Sequence, residues 1–157
     1  SCKDMHICFT DNDLDALKVC QRNCDLNKLS PNSYSIHELT WGKYDDNMAS
    51  NAVGFDIALA TDVLYDIDLI QPLLISVTKS LKQGGVFILS HIPRVCYHDN
   101  QTIPDNLERH IIDCATKQHG LELVKILRRK VVPKEWNQWC HPNAFSGGAV
   151  FVFQTSV

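Results

Sequence analysis

The sequence lacks the features that mark secreted, membrane-spanning or nucleic-acid-binding proteins. Its amino terminus, Ser1 to His6, has no apolar signal core, and no apolar run approaches membrane-spanning length. A formal net charge of −3 argues against binding nucleic acid or acidic membranes through bulk electrostatics. No internal repeat or low-complexity segment is present. We therefore expect residues 1–157 to form a single domain of a cytosolic or nuclear protein.

A disulfide framework is also missing. The seven cysteines are an odd number without framework spacing, and most lie in apolar-periodic segments, which favours buried free thiols in a reducing compartment. Cys20 and Cys24 are four residues apart and can share a helix face. No second Cys/His pair has ligand spacing, so no metal site is predicted.

One short stretch organises the rest of the chain. The apolar run from Phe55 to Ala60 is followed at once by Asp62, by Tyr65 and by a long helical pattern. Such a run predicts a fully buried parallel strand. The carboxyl end of this strand would bring Asp62 and Tyr65 to the edge where open α/β sheets bind ligands.

Strand and helix patterns alternate along the chain, which predicts an α/β fold. The first helical stripe, from Asp13 to about Asn27, consists of Leu14, Leu17, Cys20 and Cys24. Helices are also predicted from Asp66 to about Lys82, ended by Gly84-Gly85, and from Leu107 to Gln118, ended by Gly120. The predicted strands are Met5–Thr10, Tyr34–Leu39, Phe55–Ala60, Val86–His91, Leu121–Leu127 and Ala149–Phe153. Right-handed crossovers would make most strands parallel, with an antiparallel hairpin at the carboxyl end.

Several short motifs carry a family resemblance. They are Phe9-Thr-Asp-Asn-Asp13, Asn23 to Leu29, Glu38-Leu-Thr-Trp-Gly42, Ala60-Thr-Asp-Val-Leu-Tyr65 and Lys82 to Leu89. In this order they resemble the carboxyl-terminal three quarters of a class I, seven-β-strand S-adenosylmethionine-dependent methyltransferase. The protein lysine methyltransferases of the methyltransferase-like group are the most similar, because they carry an acid-x-x-aromatic signature immediately after their fourth strand.

This resemblance implies a Rossmann-like fold, S-adenosyl-L-methionine as cofactor and a protein substrate. The family's glycine-rich cofactor loop and the strand before it would lie upstream of Met5, so the sheet is expected to be incomplete at its amino-terminal side. Two strand edges would then lack a partner in the middle of the sheet. The chain is interpreted as a fragment or truncated product; alternatively, a partner chain supplies the strand.

The resemblance also assigns cofactor contacts, to Asp11, Asn12, Thr40, Trp41, Ala60 and Asp62. Asp11 would accept hydrogen bonds from the two ribose hydroxyls, although spacing alone favours a helix cap. Thr40 and Trp41 would flank the adenine, although a partly buried core tryptophan explains Trp41 equally well. Ala60 is small where the cofactor would pass close to the strand end.

Asp62 and Tyr65 are the predicted catalytic residues. Transfer to lysine requires a neutral amine, whereas the free side chain has a pKa of about 10.4. Three residues apart on a turn, the two side chains can converge, with the carboxylate accepting a hydrogen bond from the ammonium and the ring face receiving the cation. In the alternative reading, Asp62 caps the following helix and Tyr65 packs on it.

Four more residues are predicted to line a substrate rim: His91, Arg94, Trp136 and Trp139. Topology places them at the same edge, and aromatic side chains on a rim loop can contact a protein substrate. A lone histidine such as His91 is more often structural. Cys140 and His141 form a weaker nucleophile candidate, because adjacent residues rarely face each other.

The sequence is also compatible with two other functions. The same fold serves small-molecule and histidine methyltransferases. A non-catalytic fragment or truncated isoform that acts as a protein-interaction module also fits a chain without the glycine-rich loop.

Overall fold

The computed structural model describes residues 5–43, 54–64, 66–91, 107–129 and 148–156. These residues form six strands and three α-helices in alternating order, as the sequence predicts. The elements are β1 (Ile7–Asp11), α1 (Leu14–Leu26), β2 (Tyr34–Glu38), β3 (Phe55–Thr61), α2 (Ile70–Ser80), β4 (Leu81–His91), α3 (Leu107–Asp113), β5 (Leu121–Arg129) and β6 (Gly148–Thr155).

Helix α1 begins and ends at capping residues close to the predicted bounds. The Asp13 side chain accepts hydrogen bonds from the amides of Asp15 and Ala16, and Asn27 follows the last turn. Leu17 and Cys24 are buried as predicted, but Leu14 is 56% exposed, so its place in the stripe was wrong. At about 100° per residue, Leu14 points roughly 90° away from the centre of the Leu17, Cys20 and Cys24 stripe.

The described strands form a two-stranded sheet and a four-stranded sheet, and with the helices they confirm the predicted α/β fold. β1 pairs in parallel with β2, and β3 pairs in parallel with β4. β6 is antiparallel to both β4 and β5, in the order β3-β4-β6-β5, so the predicted antiparallel pair at the carboxyl end is confirmed. β6 lies between β4 and β5, which places the last strand inside the sheet.

The hydrophobic core lies between this four-stranded sheet and helices α2 and α3. Phe87, Phe151 and Phe153 are fully buried, and the Phe153 ring stacks on the other two with centroid distances of 6.0 and 6.1 Å. Helix α2 contributes buried side chains to the same core, among them Leu73, Leu74 and Val77. Ile111 and Cys114 contribute from α3 and the π-helical turn that follows it.

Strand β3 is not buried on both faces, so that prediction was wrong. Ala58 and Ala60 pack against the core, whereas Ile57 and Leu59 on the opposite face are 60% and 68% exposed. No described helix covers this second face. Among the described strands, β1 pairs with β2 alone and β3 with β4 alone, so each has one unpaired side, as the resemblance implied.

The glycine pair after α2 has a different role from the one predicted. The helix ends at Ser80, and Gly84 and Gly85 lie within β4 instead of capping the helix. Phe55 aligns with Leu81 but Ile57 with Val86, so residues 82–85 form an irregular bulge in β4. Gly84 has a φ of +73°, and a Cβ on Gly85 would lie 2.8 Å from the Lys82 carbonyl oxygen. The bulge therefore explains this pair of glycines.

Candidate active site

Asp62 stands where β3 ends, at the carboxyl edge it shares with β4. Its amide donates a hydrogen bond to the Ser90 carbonyl oxygen at 2.8 Å. Its φ of +53° lies in the left-handed region, which Asp and Asn tolerate better than most residues. The chain therefore leaves the strand sharply at Asp62, and the predicted acid lies at the ligand-binding edge of the parallel pair.

Capping after β3 belongs to another aspartate. The Asp66 carboxylate accepts a hydrogen bond of 3.0 Å from the Asp68 amide and begins the 3₁₀ turn Ile67–Leu69 that leads into α2. Helix capping therefore does not explain Asp62. Between the two acids, Leu64 is buried in the core and anchors the connection. Tyr65 lies outside the described residues, so its convergence with Asp62 stays a prediction.

Asp11 is the last residue of β1 and does not cap α1, because Asp13 does so. Its Oδ1 accepts a hydrogen bond from the Asp13 amide at 2.9 Å, and no described residue donates to its Oδ2. Asp11 and the neighbouring Asn12 are exposed. An exposed strand-end carboxylate with one uncommitted oxygen fits the predicted role as acceptor for ribose hydroxyls.

The Thr40–Gly42 turn lies beside the end of β1. The Leu39 amide donates to the Asp11 carbonyl oxygen at 2.8 Å, and the Lys43 amide donates to the Thr40 carbonyl oxygen at 3.1 Å. Thr40 is exposed, whereas Trp41 is partly buried and packs against the hydrophobic core. Both readings of Trp41 therefore fit its position, since the residue packs against the core but is only partly buried.

The contact that holds this turn was not predicted from the sequence. The Gly42 amide donates to the Ser76 hydroxyl on α2 at 2.9 Å, and Gly42 has a φ of +80°. Ser76 is only 5% exposed. A serine within the apolar stripe of Leu73 and Val77 was the available signal, because a buried hydroxyl needs a partner.

The substrate-rim residues are mostly not described. Arg94, Trp136 and Trp139 lie outside the described residues, as do Cys140 and His141, so their roles stay predictions. His91 ends β4 with an exposure of 2%, so it does not present a rim surface. Strand alternation explains the correction, since His91 shares a face with the buried Phe87 and Leu89.

The two thiols of α1, Cys20 and Cys24, show no sign of a reactive or metal-binding role in the described residues. Burial, and secondarily the neighbouring Cys24 thiol, raise the pKa of Cys20, so the less reactive protonated form is favoured. Cys24 is buried, and both are free thiols. Within the described ranges, no group of three or more His, Cys, Asp or Glu side chains is placed to hold a metal ion. No helix in those ranges is both long and apolar enough to cross a membrane.

Solved structures with the same fold include several methyltransferases. An N-methyltransferase from Bradyrhizobium japonicum, crystallised with S-adenosylhomocysteine, matches with a TM-score of 0.60 at 16% identity, covering 96% of this chain and 66% of that one. A SAM-dependent methyltransferase from Methanosarcina mazei matches with a TM-score of 0.65 at 12% identity, covering 98% and 84%. The [4+2]-cyclase SpnF matches with a TM-score of 0.67 at 12% identity, covering 98% and 67%.

At these identities the likeness shows the fold alone, and the cyclase shows that the fold does not decide the reaction. A search of curated proteins finds no significant match. The family model described as lysine methyltransferase matches residues 1–109, which is more than half of the chain. The chain therefore belongs to the lysine methyltransferase family, within the class I methyltransferases that use S-adenosylmethionine as cofactor.

Proposed function

We propose that the protein transfers a methyl group from S-adenosylmethionine to a lysine side chain of a protein substrate. The observation that carries this proposal is the position of Asp62, at the carboxyl end of β3 and hydrogen-bonded through its backbone to the end of β4. The family match to residues 1–109 supports it. The cap of the turn that follows is supplied by Asp66.

On the side of the site formed by the ends of β1 and β2, the described residues could bind the nucleoside part of the cofactor. The Asp11 carboxylate has one oxygen to which no described residue donates, and the hydrogen bond from the Leu39 amide to the Asp11 carbonyl oxygen keeps Asp11 next to the Thr40–Gly42 turn. Trp41 is partly buried and would present its remaining surface to a purine, and Ala60 packs its small side chain against the core near the end of β3. These residues would hold the nucleoside, with Asp11 binding the ribose.

The other side of the site must prepare the amine. When bound, S-adenosylmethionine supplies an electrophilic methyl group on a positively charged sulfonium. A lysine ammonium is repelled by that charge and has no lone pair, so it must be oriented and must lose a proton. The Asp62 carboxylate can accept its hydrogen bond, orient it and offset the second positive charge. Positioning of this kind can supply effective molarities of about 10⁵ M or more.

Replacing the ribose acceptor should weaken cofactor binding. In Asp11→Asn, the hydrogen bonds from the ribose hydroxyls lose their charge assistance. We expect the Kd for S-adenosylmethionine to rise by about tenfold, since hydrogen bonds to charged groups contribute about 1.5–3 kcal/mol and neutral ones about 0.5–1.5 kcal/mol. Isothermal titration calorimetry measures this. The matched control is Asp15→Asn, which removes an exposed carboxylate paired with Lys18 on the same helix-start segment. Equal effects of the two variants would contradict the ribose role.

The acceptor atom decides among the candidate functions. We expect incubation with cofactor and a cell extract to add methyl groups to lysine in a protein, read as mass increments on lysine-containing fragments. Methylated histidine, or methylation of small molecules alone, would contradict the lysine proposal. Absence of saturable cofactor binding, together with a specific protein partner, would support the interaction module; the exposed Ile57 and Leu59 of β3 favour that alternative most directly.

A further inference from the structure

The three hydroxyl side chains along α2 do not all serve the same purpose. The Thr78 hydroxyl donates to the Leu74 carbonyl oxygen at 2.9 Å, and the Ser80 hydroxyl donates to the Val77 carbonyl oxygen at 2.9 Å. Both bonds stay within the helix, as is usual for Ser and Thr at helical positions. Ser76 differs, because it accepts a hydrogen bond from the amide of Gly42, 34 residues earlier in the chain.

The turn that carries Gly42 lies directly on α2. A Cβ added to Gly42 would meet the Pro72 Cβ at 3.4 Å and the Pro72 Cα at 3.5 Å. Pro72 and Ser76 are four residues apart, so they present one helix face to the turn. The turn therefore passes close to Pro72, leaving room for no more than a Cβ there, and it is held on the helix by the hydrogen bond at Ser76.

This contact joins the two halves of the candidate site. One half consists of Asp11 and the Thr40–Gly42 turn at the ends of β1 and β2, and the other is Asp62 at the end of β3. In the described part of the chain, β1 and β3 do not pair, so no described ladder of backbone hydrogen bonds fixes one half relative to the other. Helix α2 follows Asp62 closely in sequence and is anchored by the same core as Leu64.

We propose that Ser76 is a positioning residue for the cofactor, whose hydroxyl holds the Thr40–Gly42 turn on α2 and so places the Trp41 indole relative to Asp62. Ser76 does not touch the reacting groups. It acts through the Gly42 amide, which would otherwise be a partly buried donor without its partner. The cofactor half of this proposal depends on the function proposed above, whereas the holding of the turn does not.

The test compares Ser76→Ala with the wild-type chain by two independent measurements. Amide hydrogen exchange followed by NMR reports on the Gly42 hydrogen bond without any cofactor, and we expect Gly42 to exchange about tenfold faster in the variant. Calorimetry reports on positioning, and we expect the Kd for S-adenosylmethionine to rise by about fivefold to tenfold, the equivalent of one neutral hydrogen bond.

Two further variants separate the hydrogen bond from packing and from general effects. Ser76→Cys fills nearly the same space with a weak acceptor, so it should behave like Ser76→Ala. Ser80→Ala removes a hydroxyl bound within α2 and should leave both measurements at wild-type values. A normal Kd in Ser76→Cys would show that packing alone holds the turn, and it would overturn the role of the hydroxyl.

The outcomes distinguish this proposal from the proposed function. Unchanged Gly42 exchange in Ser76→Ala would overturn the holding of the turn. Faster exchange with an unchanged Kd would overturn the positioning role. If the wild-type chain binds no cofactor, the proposed function and the positioning role both fail, while Gly42 exchange still decides whether the hydroxyl holds the turn.

Discussion

Asp62→Asn is expected to lower the rate of methyl transfer by about 10²- to 10³-fold while leaving the Kd for the cofactor within about threefold of wild type, because a positioned acid–base group contributes about 10²–10⁴-fold. The substitution removes the negative charge that would offset the ammonium. Asparagine also tolerates the left-handed φ of +53° at this position, so the amide hydrogen bond to Ser90 is expected to persist. A loss of activity would therefore report on the carboxylate and not on the backbone.

A radiolabelled methyl assay and calorimetry measure the two quantities in the form of the protein that transfers methyl groups. The matched control is Asp66→Asn, four residues further along the same connection, where asparagine caps a helical turn as well as aspartate does. This control should retain wild-type activity. Near-normal transfer by Asp62→Asn would remove the acid from the mechanism, and an equal loss in both variants would indicate damage to the connection.

The second large effect concerns stability. Phe153→Ala is expected to lower the free energy of unfolding by about 3–5 kcal/mol, the usual cost of removing a buried phenylalanine ring. Phe153 is fully buried on an inner strand and stacks on both Phe87 and Phe151, so its loss leaves a cavity lined by rings that strand backbones hold in place. Because small domains are stable by about 5–15 kcal/mol, this loss would remove a large fraction of the total stability.

Urea denaturation followed by circular dichroism measures this change through the shift in midpoint at constant slope. The control is Val124→Ala on β5, whose side chain is 59% exposed, and its expected cost is below about 0.5 kcal/mol. A loss of less than about 1 kcal/mol in Phe153→Ala would show that the stacked rings are not the centre of the core.

Much of the fold was predictable because local signals and tertiary packing agree. Asp13 and Asn27 mark the ends of α1 through capping chemistry that depends on neighbouring amides alone. Apolar runs identify β3 and the second half of β4, and the turn after β3 leaves Asp62 at a strand end. Such features depend on residues that are close in sequence, so they can be predicted without knowing which distant residues are in contact.

The misread features depend on contacts between distant residues. An apolar run does not reveal whether both faces are covered, so the exposure of Ile57 and Leu59 was not foreseen. Gly84-Gly85 has the composition of a helix end, and only the register against β3 shows that it forms a bulge. The Ser76 hydroxyl meets a partner 34 residues away, which periodicity does not encode. The catalytic pairing of Asp62 with Tyr65 remains a prediction.

The insertion of β6 between β4 and β5 has a consequence for how the chain acquires its structure during synthesis. In the part of the chain that the structure describes, β4 and β5 do not pair directly, so β5 must wait until β6 has left the ribosome before it can join the sheet. The pairing of Leu89 with Phe151 closes a loop of more than sixty residues. Closure at such separation slows folding, and the nascent chain would expose Phe87 on β4 to chaperones until β6 has been synthesised.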